Sequence, residues 1–144
     1  REARGGVRRV QDRQDRHALL IKQVERQLRK KPRDPQLCTV LGRLHQRSGQ
    51  FSRAAFWYQR ALQIREKALG PEDLKTAASL AHLGMAYTEM GTYDKALPLV
   101  ERSLAVREKA LGPNSPETAE SLAILANLKR QTGAHAQAPH RDVC

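Results

Sequence analysis

The sequence has few aromatic residues, few cysteines and no long hydrophobic run, and each shortage excludes a class of protein. Aromatic residues make up 4% of the chain, and its apolar content is mostly leucine and alanine, which favours helices over strands. No segment reaches the roughly 20 apolar residues that span a bilayer. The first ten residues also lack the apolar core of a secretion signal. These features predict a helical protein without a transmembrane segment.

The two cysteines, Cys38 and Cys144, lie far apart in the chain. They do not form the dense disulfide pattern of small secreted proteins. We interpret both as free thiols of a reducing compartment, and we expect a cytoplasmic protein.

Sequence signatures of catalysis are missing as well. The chain contains no GxxxxGK[ST], GxGxxG, HExxH, CxxC or GxSxG motif. His45 and His82 are the candidate metal pair, but the simpler interpretation places His45 in a helical core and His82 on another face of its helix. We therefore predict no catalytic residue, no metal and no cofactor, and a protein that is not an enzyme.

Positive charge is concentrated near the N-terminus. The formal net charge is +11, and residues 1–35 contain 12 Lys and Arg against 5 Asp and Glu. Residues 1–16 have almost no large apolar side chain, so we expect a basic disordered tail. Binding of nucleic acid or an anionic membrane through this Arg-rich segment is the alternative function. Nucleic acid is disfavoured because residues 1–35 contain no aromatic side chain to stack on bases.

An internal repeat is the strongest feature that the sequence does contain. The heptapeptide REKALGP occurs at residues 65–71 and again at 107–113, which is 42 residues later. Aligned at this shift, residues 57–91 and 99–133 are identical at 16 of 35 positions. A duplicated segment of this kind is typical of structural units that stack on copies of themselves.

Each unit has the pattern of two antiparallel helices. Apolar residues recur at spacings of three and four, as on one face of an amphipathic helix. Gly91 and Gly112 follow the ends of two such patterns, where glycine commonly terminates a helix. Asp73 and Ser115 precede the next helices as N-caps. The first pattern contains Leu80, Leu83, Ala86, Tyr87 and Met90, and the second contains Ala96, Val100, Leu104 and Leu111.

These positions resemble the tetratricopeptide repeat, and the 42-residue spacing is similar to the kinesin-light-chain and nephrocystin-3 type. The resemblance covers residues 35–138 and implies an all-α, right-handed solenoid of stacked antiparallel helix pairs, with about two and a half to three repeats. It further implies a noncatalytic scaffold or adaptor for protein–protein interaction, associated with the cilium or cytoskeleton. The matching residues are Cys38, Leu41-Gly42, His45, Gly49, Ala54, Tyr58 and Ala61, then Leu80, Leu83-Gly84, Tyr87, Gly91, Ala96, Val100 and Ser103, then Leu122, Leu125-Ala126, Lys129, Gly133 and Ala138.

In such solenoids the first helix of each pair lines the concave groove. In kinesin light chains this groove receives short, extended acidic peptides, so the resemblance implies a protein or an extended, acidic peptide as partner. Ala78 leaves room for a ligand side chain, and Arg43 and Arg130 are suited to an acidic group. Arg47, Ala81 and Ile124 also lie off the core stripe. The predicted groove residues are Thr39, Arg43, Gln46, Ala78, His82, Met85, Glu89, Asn127 and Arg130.

The second helices carry a further set of basic residues, which we expect on a convex, solvent-facing surface. These residues are Arg60, Arg65, Lys67, Arg102, Arg107 and Lys109.

The two ends of the repeat region are irregular. Residues 17–34 are expected to form a capping helix or the remnant of an earlier repeat, and residues 139–144 a disordered tail. The third unit lacks a second helix of its own, because Pro139 and polar residues replace the apolar positions. Leu122, Leu125 and Leu128 would then lack a partner helix. Either the chain is truncated, which we prefer, or another chain covers this face. The second alternative predicts self-association through the incomplete C-terminal repeat.

Overall fold

The described part of the chain folds into six helices joined by short turns. The computed structural model describes the backbone of residues 2–143 and the side chains of residues 8–133, and this part of the chain contains no strand. Two helix hairpins stack between two single terminal helices, as expected for an all-α solenoid. The helices are α1 (Glu2–Lys30), α2 (Pro35–Arg47), α3 (Phe51–Leu69), α4 (Leu74–Met90), α5 (Tyr93–Leu111) and α6 (Pro116–Val143).

The two copies of the heptapeptide have the same conformation. In each copy the residues REKAL form the last turn of a second helix, α3 or α5. The helix ends at the glycine that follows, which has positive φ, 89° at Gly70 and 84° at Gly112. The hydroxyl of Thr76 donates to the Gly70 carbonyl at 2.8 Å, and Thr118 repeats this bond to Gly112 at 2.8 Å. Equal sequences therefore make equal turns into the next unit.

Arg65 and Arg107, the first residues of the two copies, are buried, although the sequence pattern predicted a solvent-facing position. Arg65 Nη1 donates to Ser79 Oγ at 3.0 Å, and Arg107 Nη1 donates to Ser121 Oγ at 2.9 Å. Each guanidinium also donates to a backbone carbonyl in the first turn of the following helix. The prediction was wrong for these two residues because this side of the second helix meets the next unit. The other four basic residues of the set are exposed.

The Leu-Gly pairs of the repeat allow close packing of each hairpin. A Cβ atom added to Gly42 would lie 2.7 Å from the Tyr58 ring, and one added to Gly84 would lie 2.5 Å from Val100 Cγ2. Tyr58 and Val100 are both fully buried. Glycine at these two positions lets a large side chain of the second helix touch the backbone of the first.

We predict that Gly84→Ala lowers the free energy of unfolding by about 1–2 kcal/mol, since the cost of overpacking exceeds the gain in helix propensity. Gly133→Ala is the matched control, because an added Cβ there meets no atom within 4 Å. It should raise stability by up to about 1 kcal/mol. Urea denaturation of both variants measures the difference, and equal effects would contradict the packing argument.

The predicted helix boundaries are confirmed where the caps are visible. Asp73 accepts a hydrogen bond from Lys75 N at 2.8 Å, and Ser115 accepts one from Thr118 N at 3.1 Å. Gly91 terminates α4 in the left-handed conformation, with φ 79°.

The N-terminal segment differs from its expected disorder. Residues 2–16 form the first half of α1, which continues without a break to Lys30. Arginine and glutamine have good helix propensity, and no proline occurs before Pro32 to stop the helix. The later part of α1 packs on the first hairpin, where Leu28 joins a core cluster with Cys38, Leu41 and Ala61. Residues 17–30 therefore cover the first hairpin, as a capping helix does.

The C-terminal segment also differs from the expected tail. α6 continues through Gly133 and Pro139 to Val143, so the third unit consists of one long helix without a second helix of its own. Gly133 does not share the positive φ of Gly49 and Gly91, because no return turn follows it. Cys144 lies outside the described residues.

One repeated position is less buried in the third unit than in the first two. Cys38 and Leu80 are both fully buried, but the equivalent Leu122 is 43% exposed. Leu128, nearer the middle of α6, is fully buried in a cluster with Val100 and Ala96 of α5. One side of α6 thus packs on α5, and Leu122 lies beyond the reach of that contact.

This difference gives an internal comparison of stability. Leu80→Ala should lower the free energy of unfolding by about 2–5 kcal/mol, as core truncations do. Leu122→Ala should cost roughly 1 kcal/mol or less, because less apolar area is lost from contact. Thermal and chemical unfolding of the two variants tests this, and a large cost at Leu122 would indicate that another element covers it in solution.

Candidate functional site

The predicted groove residues lie on the first helices, α2, α4 and α6, and we call this surface the α2–α4–α6 face. Thr39, Arg43, Ala78 and His82 line one shared cavity. Gln46 and Glu89 lie farther along α2 and α4 and contact each other directly. Asn127 and Arg130 lie on α6 and do not line this cavity.

Several groove residues have structural contacts that the sequence did not indicate. Thr39 is 4% exposed, and its hydroxyl donates to the Pro35 carbonyl at 2.8 Å. Met85 is partly buried against the core cluster that contains Val100 and Leu128. Ala81 and Ile124 are buried members of the same cluster. The helical period alone did not separate these positions from the open ones, because α4 is packed against helices on two sides.

The cavity that these residues share has a volume of about 690 Å³ and opens beside the heptapeptide turn. The start of α2, the end of α3 and the start of α4 form its walls. We call it the Arg65 cavity, after the buried arginine in its lining. Its charged lining residues are Arg33, Arg43, Arg65, Lys75 and Asp34, and its apolar lining residues include Ile64, Ala68, Leu69, Leu74 and Ala78.

A chain of hydrogen bonds links α2, α3 and α4 next to this cavity. The Tyr58 hydroxyl donates to Gln46 Oε1 at 2.6 Å, and Gln46 Nε2 donates to Glu89 Oε1 at 2.7 Å. Burial raises the pKa of Tyr58 to about 12, so its hydroxyl stays protonated and remains a donor. These bonds hold the side chains of the face in place before any partner binds.

His82 stacks on the Tyr58 ring and faces the cavity. The ring centroids are 5.2 Å apart, with an interplanar angle of 19°. Burial, assisted by the positive charge of Arg43, lowers the pKa of His82 to about 4. Nδ1 of this neutral ring is buried and has no hydrogen-bond partner among the described residues. His82 therefore offers an uncharged polar group at the cavity wall.

We predict that His82 makes the fold sensitive to acid. Its pKa is about 4 in the folded state and 6.5 in an unfolded chain, so the unfolded state binds more protons between these values and stability rises with pH there. The contribution of neutral His82 to the free energy of unfolding is complete above about pH 6.5 and is lost as the pH falls towards 4. Between pH 7 and pH 4.5 the free energy of unfolding should fall by roughly 2 kcal/mol more in the wild type than in His82→Gln.

Urea denaturation across this pH range measures the effect, and the ¹H NMR titration of the His82 ring gives its pKa directly. Parallel stability curves for the wild type and His82→Gln would contradict the prediction.

A second cavity, of about 630 Å³, lies between α1 and the turn that joins α2 to α3. His17 Nε2 contacts the Leu44 carbonyl at 2.6 Å and holds α1 against α2. His45 is buried, which confirms its predicted core position, and burial lowers its pKa. Sequence reasoning missed this cavity because it treated residues 1–16 as a separate tail. The lining includes the charged residues Arg13, Lys22, Glu25, Arg47 and Arg53.

The described residues contain neither a metal-binding cluster nor a membrane-spanning helix. No group of three or more His, Cys, Asp or Glu side chains within that part of the chain is arranged to hold a metal ion. None of its helices combines the length and apolarity needed to cross a bilayer.

Comparison with known proteins identifies the family. A family profile described as "Tetratricopeptide repeat" matches residues 36–109 and again residues 75–139. No curated protein matches. The crystal structure of BtubC (BKLC) from P. vanneervenii matches with a TM-score of 0.74 and 21% identity. The match covers 90% of this chain and 55% of that one, so this chain spans about half the length of BtubC. The similarity to BtubC concerns the fold alone. The family profile covers most of the sequence, and the chain therefore belongs to the tetratricopeptide repeat family.

Proposed function

We propose that the protein is a noncatalytic scaffold or adaptor that binds a partner protein or an extended peptide on the α2–α4–α6 face. Tetratricopeptide repeats generally mediate protein–protein interactions. The observation that carries the proposal is the Arg65 cavity on this face, which lies beside the side chains ordered by the Tyr58–Gln46–Glu89 bonds. Such prior ordering lowers the entropy cost of binding a peptide.

We also propose that the repeats are of the kinesin-light-chain and nephrocystin-3 type. The 42-residue spacing supports this assignment, as does the length of the second helices, since α3 and α5 each contain 19 residues. The same proposal includes an acidic partner peptide and a cytoplasmic location near the cilium or cytoskeleton. Cys38, which is a buried free thiol, is compatible with a reducing compartment.

The alternative function, binding of nucleic acid or an anionic membrane by the N-terminal segment, finds no support in the comparisons. Self-association through the third unit stays a prediction. The exposed side chain of Leu122 is the feature that a second copy would cover.

A charge reversal at Arg43 tests the proposed face. Arg43 is exposed and lines the Arg65 cavity, so Arg43→Glu should leave the fold intact and weaken the binding of acidic peptides. Loss of one charge-assisted contact, together with new repulsion, should reduce affinity roughly tenfold or more. Fluorescence anisotropy with labelled, capped ten-residue peptides of acidic, neutral and basic composition measures this affinity.

Arg60→Glu is the matched control, because Arg60 is exposed on the second helix α3. This substitution changes the net charge by the same amount as Arg43→Glu. Met85 is unsuitable for such a test because it packs against the core. Equal losses in the two variants would indicate a general effect of charge, and unchanged binding in Arg43→Glu would exclude this face. Binding that disappears when residues 1–16 are deleted would favour the alternative function.

A further inference from the structure

The two buried arginines of the repeat differ in whether a carboxylate lies beside them. Arg107 Nη1 lies 3.4 Å from Glu120 Oε1, and the Arg107 side chain is almost fully buried. Arg65 is equally buried, with 7% exposure, but no carboxylate of the described residues lies within ion-pair distance of it. The residue equivalent to Glu120 one repeat earlier is Ala78.

The hydrogen bonds of Arg65 go to neutral groups. Nη1 donates to Ser79 Oγ and to the Lys75 carbonyl, and Nη2 donates to Gln36 Oε1 at 3.3 Å. Nε is buried without a hydrogen-bond partner among the described residues. A buried cation of this kind is costly unless an opposite charge or further hydrogen bonds compensate it.

The Arg65 cavity opens where the methyl group of Ala78 replaces the longer side chain of Glu120. Arg65 and Ala78 both line it, together with three further cations, Arg33, Arg43 and Lys75. Its one acidic lining residue is Asp34, whose carboxylate already accepts hydrogen bonds at the start of α2. The cavity thus combines excess positive charge with space at the position that a carboxylate occupies in the next repeat.

We propose that the Arg65 cavity binds an aspartate or glutamate side chain of the partner, with its carboxylate next to the Arg65 guanidinium, as Glu120 lies next to Arg107. This assignment rests on the proposed function and specifies the partner's chemistry. Arg65 contributes the positive charge of its guanidinium, which lines the cavity, and the cations at the cavity mouth attract the carboxylate. Leu69 and Leu74, which also line the cavity, contact the aliphatic part of the partner residue.

NMR spectroscopy of the arginine Nε–Hε groups tests the proposal in the full chain. The probes are capped glutamate, with an acetyl group and an N-methyl amide, and the equally capped glutamine. Capped glutamate should move the Arg65 Nε–Hε resonance in a saturable manner, and capped glutamine should not. The Arg107 resonance, already paired with Glu120, should move little. Inorganic phosphate is the third probe.

Three variants serve as controls. Ala78→Glu and Glu120→Ala exchange the residues of the two repeats, and Ala78→Gln is the uncharged match. Ala78→Glu supplies the carboxylate from the chain itself, so the Arg65 resonance should shift without any probe and lose its response to capped glutamate. Ala78→Gln fills the same space without charge and should not reproduce that shift. Glu120→Ala removes the carboxylate beside Arg107, so the Arg107 resonance should acquire a response to capped glutamate. Circular dichroism verifies that each variant is folded.

Equal responses to glutamate and glutamine, or an undiminished response in folded Ala78→Glu, would overturn the carboxylate site. A stronger response to phosphate than to glutamate would also overturn it in favour of a phosphorylated ligand. The proposed function fails separately: if Arg65 responds to glutamate but no peptide binds the α2–α4–α6 face, the site stands and the adaptor role does not. If peptides bind this face and Arg65 responds to no probe, the adaptor role stands and the carboxylate site does not.

Discussion

The stacking of the units depends on the hydrogen bonds of a buried arginine at the end of each second helix. Arg65 and Arg107 each donate to a serine hydroxyl and to a backbone carbonyl of the following helix. A hydrogen bond lost by a guanidinium that is removed from water is costly, so these bonds hold the following helix in one register. The heptapeptide recurs because it supplies this arginine together with the glycine turn that leads into the next unit.

The same register places the first helices side by side and so creates the α2–α4–α6 face. Tyr58 reaches from the second helix α3 to Gln46, and Gln46 continues to Glu89 on the next first helix. The face is therefore ordered by contacts within and between units, and its polar groups do not depend on a partner for their position. The Arg65 cavity lies at the junction of the two units, where the arginine link and the face meet.

The first and last described helices each cover one hairpin. α1 covers the first hairpin with Leu28 and is fastened by His17. α6 covers the second hairpin with Leu128, and Leu122 on another side of α6 is exposed within the described residues. Each repeat unit buries its apolar surface on its neighbours, so the exposed Leu122 marks a side of α6 that no described helix covers.

The amino-acid sequence by itself determined the helix pairs, their period and the boundaries at which caps or glycine turns occur. Asp73, Ser115 and Gly91 act within one turn of their own positions, and caps of this kind are local. The choice of first helices for the candidate face also followed from the repeat, and Arg43, Ala78 and His82 do line its cavity.

Only the tertiary structure decided which polar side chains are buried and which positions share a site. Arg65 and Arg107 have the same charge and the same 42-residue spacing as the exposed Arg60 and Arg102, yet they face the next unit. Thr39 and Met85 lie off the main apolar stripe and are nevertheless packed. The physical reason is that periodicity records the hydrophobic side of a single helix, whereas burial in a stacked array depends on other helices. Ser79, for example, is 14 residues from Arg65, and Ala77 is 26 residues from Ser103.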